Sequence, residues 1–186
     1  MQTTFIVHVE DQPGVLTRVT SLIRRRGFNI ESLTVGRTQR PGVSRMTIVM
    51  DVDDIAVARI EAHLYKLVNV ITVENVTPLP AVYRDLAMIK VAATEASRGP
   101  IMQLVQVFRA RVVDVSPDSL VIESTGPEAK IDSLVEMLKP YGVLEMARTG
   151  RVAMSRGAGS AAAAAYAVRA VIDDELPLDS SISCSV

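Results

Sequence analysis

Strand-like and helix-like hydrophobic periods follow one another in the same order twice along this chain. That repetition limits the fold more than any single motif. Residues 3–10 alternate with the two-residue period of a strand. Residues 14–26 place Val15, Leu16, Val19, Leu22 and Ile23 at helical spacing. Gly27 stops that helix after Arg24-Arg25-Arg26, since cations in a last turn suit the helix dipole and glycine suits the residue beyond it. Residues 28–38 read as a strand, and the change of phase between Ile30 and Leu33 predicts a bulge there. Arg40-Pro41-Gly42 turns the chain into a strand over 43–52. Asp53-Asp54 then caps a helix over 54–67, and residues 70–79 return as a strand.

The second half repeats the plan. Residues 84–93 alternate as a strand, and Ile101, Leu104, Val105 and Phe108 form one stripe of a helix near 98–109. Residues 111–116 and 119–125 pair around Ser116-Pro117-Asp118. Gly126-Pro127 opens a helix that buries Ile131, Leu134, Val135 and Leu138 and closes at Pro140. Residues 142–153 make a last strand. The order βαββαβ is that of the split ferredoxin-like unit. The fold class predicted is α+β: two tandem units, 1–79 and 80–156, joined near Pro78-Leu79-Pro80, then a tail over 157–186. In the tail, Gly157-Ala158-Gly159-Ser160 reads as linker, and Ala161 to Ile172 has strong helix propensity.

Composition sets bounds on function. Of 186 residues 48% are hydrophobic, enough for two real cores, and with no Trp these must be built from aliphatic side chains and Met. Met46 and Met50 fit such packing. A net charge of −1, from 20 basic and 21 acidic residues, offers no bulk attraction to nucleic acid or an anionic membrane. No apolar run approaches the roughly 20 residues that span a bilayer, and no signal peptide is evident. The single Cys184 cannot form an internal disulfide, which fits a cytoplasmic setting. His8 and His63 lack the spacing of metal ligands, so no metal or cofactor is predicted.

The stretch that carries chemistry is Glu10-Asp11-Gln12-Pro13-Gly14-Val15-Leu16. It leads from a strand into a helix N-terminus, where unpaired backbone N–H groups and the positive dipole end suit an anion. Gly14 allows a ligand close to the backbone, and Asp11 could hold a cationic group beside the anionic one. A free amino acid carries both charges, so the turn reads first as an amino-acid sensor and second as a plain helix start. Asn29 alone reads as a turn or strand-start residue, and Arg24-Arg25-Arg26 as a solvated helix end. A stand-alone enzyme would need a nucleophile beside a base, and none is visible. A transcriptional regulator would need a DNA-binding segment, and none is visible either.

Four segments extend this reading. They are the turn just quoted, Arg26-Gly27-Phe28-Asn29-Ile30-Glu31-Ser32-Leu33-Thr34-Val35, Ser44-Arg45-Met46-Thr47-Ile48-Val49, and Ala147 to Gly157. With them the chain, over residues 2–157, resembles the regulatory small subunits of acetolactate synthase, and its first half resembles an ACT domain. The resemblance implies a non-catalytic subunit without a cofactor of its own. Such a subunit binds the thiamine-diphosphate-dependent catalytic (large) subunit, raises its activity, and confers feedback inhibition by branched-chain amino acids, usually valine. It implies a homodimer through the ACT domains with the effector at their seam. Carried onto this sequence, the effector site comprises Asp11, Gly14, Val15 and Leu16 from one chain and Asn29 and Ile30 from its partner. Many members carry Asn where this chain has Asp11; Asp accepts from an ammonium group but cannot donate to a carboxylate. The second unit has Ser97-Arg98-Gly99-Pro100 in place of such a turn and is expected to serve assembly or signal transfer. The alternative is an ACT-domain amino-acid sensor for another enzyme or for transcription.

Overall fold

The computed structural model describes residues 1–157; the tail helix expected over 161–172 lies outside the described residues. The first unit runs β1 (Gln2–Glu10), α1 (Val15–Arg25), β2 (Ser32–Arg37), β3 (Val43–Asp51), α2 (Asp54–Leu64), β4 (Val70–Asn75). Its antiparallel sheet has the order β2-β3-β1-β4. Alternation on β1 and β3 sends Phe5, Val7, Ile48 and Met50 to one face, where Val19 and Ile23 of α1 and Ile60 and Leu64 of α2 close over them. These side chains are almost wholly removed from water, each contributing roughly 1.5–3 kcal/mol of burial free energy.

The second unit runs β5 (Ala81–Ala92), α3 (Glu95–Val107), β6 (Arg111–Val115), β7 (Ser119–Gly126), α4 (Glu128–Leu138), β8 (Val143–Arg148) and β9 (Val152–Ser155). The order β6-β7-β5-β8 repeats that of the first sheet, with β9 added on β5. Its core is Ala87, Ile89 and Ile122 under Ile101, Val105, Leu134 and Leu138. The two tandem βαββαβ units expected from the periodicity are therefore present.

α2 and β4 end early, at Leu64 and Asn75 rather than at 67 and 79, and four further boundaries differ from expectation for a local reason. The last strand, expected unbroken over 142–153, splits into β8 and β9 at Thr149-Gly150-Arg151, because Gly150 takes a left-handed conformation (φ 82°). β8 pairs with the C-terminal half of β5 and β9 with its N-terminal half, from Ala81, which is why β5 begins earlier than predicted. β2 starts at Ser32, and its register with β3 is continuous. The phase change after Ile30 is thus the approach to the strand rather than a bulge within it. α3 begins at Glu95, a turn earlier than its apolar stripe, because Thr94 and Ser97 form a capping box.

The β5–β9 ribbon joins the units. Ile6, on the face of β1 opposite the main core, packs with Val76 of the connection and Ala153 of β9, and Ala81 and Tyr83 lean on them. The Tyr83 hydroxyl donates to Val76 O (3.0 Å), and the Arg45 guanidinium donates to Ala153 O (2.5 Å).

Candidate functional site

The turn between β1 and α1 is held by its backbone. Glu10 N–H donates to Asn69 O (2.9 Å), Asp11 N–H to Gly42 O (2.8 Å), and Gln12 N–H to Glu10 O (3.0 Å). A side-chain relay supports it from below: Arg18 Nη1 donates to Asn69 Oδ1 and Asn69 Nδ2 to Glu10 Oε2, both 2.6 Å. Gly14 occupies the position before the helix in the left-handed region (φ 84°), and nothing lies within 4 Å of where a Cβ would stand. A side chain there would be strained and would project into open space.

α1 enters from this turn without a side-chain cap. By contrast Asp53 closes α2, accepting from Ala56 N–H at 2.7 Å, and Thr94 closes α3. Val15 N–H turns back to Gln12 O (3.4 Å), and an uncapped α1 leaves the later first-turn N–H groups and the positive end of the dipole available to an anion. The Asp11 carboxylate is half-exposed beside them, 3.8 Å from Nε of the exposed Arg37. Such a pair is weak in water and yields easily to another cation.

Leu16 is 42% exposed at this helix end. Val15 points the other way, 4% exposed within the first core, so of the expected apolar wall only Leu16 and Ile30 are open to a ligand. Asn29 is exposed and Ile30 half-buried; with Phe28 and Arg24 they line a cleft of about 370 Å³ at the far end of α1. One chain therefore does not bring the six expected residues together. Asp11, Gly14, Val15 and Leu16 sit at one end of α1, and Asn29 and Ile30 at the other, about 16 Å away for an 11-residue helix. The first set adjoins the C-terminal end of β2 through Arg37, while the second immediately precedes its N-terminal end.

The two edges of the first sheet are not alike. On β4 the Tyr65 hydroxyl accepts from Val73 N–H (3.0 Å) and donates to Val73 O (3.1 Å), covering the outward-facing backbone. β2, the other edge, is regular and carries exposed Val35 and Gly36. In the second unit the Ser97–Pro100 stretch lies inside α3, and the Arg98 guanidinium donates to the carbonyls of Ser116 and Pro117. Side chains thus occupy the place where the first unit has an open helix end.

Sequence reasoning missed three residues that the fold brings to these sites. Arg37 meets Asp11 only because β2 folds back along the turn. Ser32 and Thr34 bond to Thr149 and Arg151, more than a hundred residues away. Nothing local marks such contacts. Among the described residues no helix is long and apolar enough to cross a membrane, and no cluster of His, Cys, Asp and Glu could hold a metal ion.

Two family models match the chain. "AHAS small subunit-like ACT domain" matches residues 5–72 and "Small subunit of acetolactate synthase" residues 84–157. The acetolactate synthase small subunit of Mycolicibacterium smegmatis is 51% identical over 154 residues, covering 83% of this chain and 91% of that protein. That of Aquifex aeolicus is 46% identical over 151 residues, covering 81% and 79%. The crystal structure of the Thermotoga maritima small subunit superposes with a TM-score of 0.81 at 40% identity, covering 86% of this chain and 99% of that one.

Proposed function

The chain belongs to the acetolactate synthase small-subunit family, and on that premise we propose that it is the non-catalytic regulatory subunit of the holoenzyme. It binds the thiamine-diphosphate-dependent catalytic subunit in the cytoplasm, raises its activity, and makes it sensitive to a branched-chain amino acid, with valine first. Residues 1–79 are the effector-binding domain, 80–156 the domain for assembly and signal transfer, and 157–186 a tail.

The observation that carries this reading is the placement of the two half-sites at opposite ends of an open edge strand. A two-fold axis across β2 pairs it antiparallel with β2 of a second copy. The C-terminal end of each strand then meets the N-terminal end of the other. That brings the Asp11–Leu16 turn of one protomer beside Asn29 and Ile30 of its partner. Tyr65 favours this choice of edge by occupying the other one. In the shared pocket the effector carboxylate takes N–H groups at the start of α1, and its ammonium group faces Asp11 or a carbonyl. Asn29 can serve either end, and the aliphatic side chain rests on Leu16 and Ile30.

A ligand of valine's size supplies roughly −5 to −8 kcal/mol, an affinity between micromolar and millimolar. One methylene changes that by about 1–3 kcal/mol, so graded sensitivity to leucine and isoleucine is expected. The test is to reconstitute the chain with its cognate catalytic subunit and titrate valine, leucine and isoleucine separately against acetolactate formation from pyruvate. Activation by the chain and inhibition by at least one of the three are expected. Acetolactate produced by the chain alone, or a holoenzyme indifferent to all three, would refute the reading.

A further inference from the structure

Two residues beyond Ile30, β2 stays paired with β3 while side chains on it also engage the second unit. Ser32 Oγ accepts from the backbone N–H of Arg151 (2.9 Å), and Thr34 Oγ1 donates to Thr149 O (3.1 Å). Between them Gly150 lies so close that a Cβ would collide with Ser32 Oγ, at a backbone angle that side chains also resist. The Arg151 guanidinium then spans the junction. It donates to Gln2 Oε1 (2.7 Å) and Thr4 Oγ1 (3.2 Å) on β1, and to Glu128 Oε2 (2.7 Å) on α4. It also lies 5.4 Å from the centre of the Tyr83 ring. One turn along α4, Asp132 holds Arg148 at 2.5 Å. The turn is anchored to β5 through Thr149, whose N–H donates to Leu86 O (3.1 Å) and whose hydroxyl accepts from Leu86 N–H (3.2 Å).

We propose that Thr149-Gly150-Arg151 is the relay that passes effector occupancy from the start of β2 to α4 and the second unit. This rests on the regulatory reading above. The segment before β2 has one backbone tie to the sheet, Glu31 N–H to Val49 O (2.9 Å), beside the Gln2–Glu31 side-chain bond and the packing of Phe28 and Ile30 on the core. A ligand gripping Asn29 and Ile30 therefore repositions Ser32 more easily than it distorts β3. Ser32 Oγ is bonded to Arg151 N–H and stands where a Gly150 Cβ would be, so its movement is passed to the turn rather than absorbed. Arg151 is 16% exposed and bonded to both units, so the turn cannot shift without pulling on Glu128. A cleft of about 360 Å³ between Glu31 and Ser32 on one side and Glu128 and Arg148 on the other leaves room for that shift.

The relay is tested by separating binding from response. Arg151→Lys keeps the charge but loses the planar fork that reaches both units. Ser32→Ala removes only the acceptor for Arg151 N–H and serves where the first variant folds poorly. Valine binding by calorimetry and valine inhibition are measured side by side on the reconstituted holoenzyme. In both variants the valine dissociation constant is expected within about threefold of wild type and the uninhibited rate within about twofold. The coupling between binding and activity is expected to drop by about fivefold or more. Unchanged inhibition in both variants would overturn the relay while leaving the regulatory reading intact. Parallel loss of binding and inhibition would overturn it too, by placing these residues in the pocket. A wild-type holoenzyme insensitive to every branched-chain amino acid would remove the regulatory reading and the relay together.

Discussion

The two units share a strand order but treat their edges and helix ends in opposite ways. In the first, α1 starts from a left-handed glycine with no side-chain cap, and β2 is a regular edge. In the second, α3 starts from a capping box, Arg98 fills the space beside it, and β6 carries a register shift between Val112 and Asp114. Each unit also has a shift beside its fourth strand, at His8/Val9 and at Lys90/Val91. The architecture is therefore duplicated down to a bulge, while the equivalent first helices start differently, α1 from an uncapped glycine and α3 from a capping box. On the proposed reading, what distinguishes the sensing unit from the other is how the backbone at the start of its first helix is paired.

The comparison can be broken most severely through the cores. Leu64 and Leu134 are fully buried in clusters that share no residue. Leu64→Ala and Leu134→Ala should each cost about 2–5 kcal/mol and add in the double variant. Calorimetric unfolding measures this, and strong non-additivity would mean one core rather than two.

Acid should then find the first unit before the second. His8 is buried, hydrogen-bonded to Thr72 Oγ1 at 2.9 Å, and lowered from 6.5 to about 4, by burial first and then by Arg45 and Arg40. Its counterpart beside the second unit's bulge is Lys90, half-buried. Because the fold favours the neutral imidazole, the unfolded chain takes up the proton first. The stabilisation is complete above pH 6.5 and is lost as pH falls from there towards about 4. The loss is on the order of 2–3 kcal/mol. Chemical denaturation across that range should show the slope, and His8→Gln should flatten it.

Gly14→Asp sharpens the contrast at the helix ends. It puts a negative charge where the proposed effector carboxylate would sit, so the valine inhibition midpoint should rise about tenfold or more, equivalent to at least ~1.4 kcal/mol. The left-handed angle adds about 1 kcal/mol of strain, but open space around the Cβ keeps the fold. An inhibition curve that does not move would remove Gly14 from the site. The smallest effect tests the other helix: Thr94→Ala loses the capping box and should cost about 1 kcal/mol, read as a drop in the second unit's melting temperature, with valine response unchanged.

Much of this molecule was legible in its periodicity. The strand and helix order, both cores and the Pro-Gly turn follow from patterns within ten or fifteen residues, where the physics of alternation and capping is local. The candidate site is legible in the sequence as residue types but not as a place. Val15 looked like pocket lining and is core, because a helix's first inward position is fixed by the sheet it packs on. The split of the last strand at Gly150 was missed: the left-handed turn there packs against Ser32, 118 positions earlier in the chain, a contact that nothing local marks.

The sequence by itself determined what each segment becomes, and through Gly14 it determined where backbone N–H groups stay free. The tertiary structure decided which edge remains open, since only the fold carries Tyr65 onto Val73 and leaves β2 bare. It also decided that Arg151 reaches β1 and α4 at once. Propensity and pattern act between neighbours in sequence. An edge, a seam or a relay is a relation between distant segments, and it exists only once the chain has closed on itself.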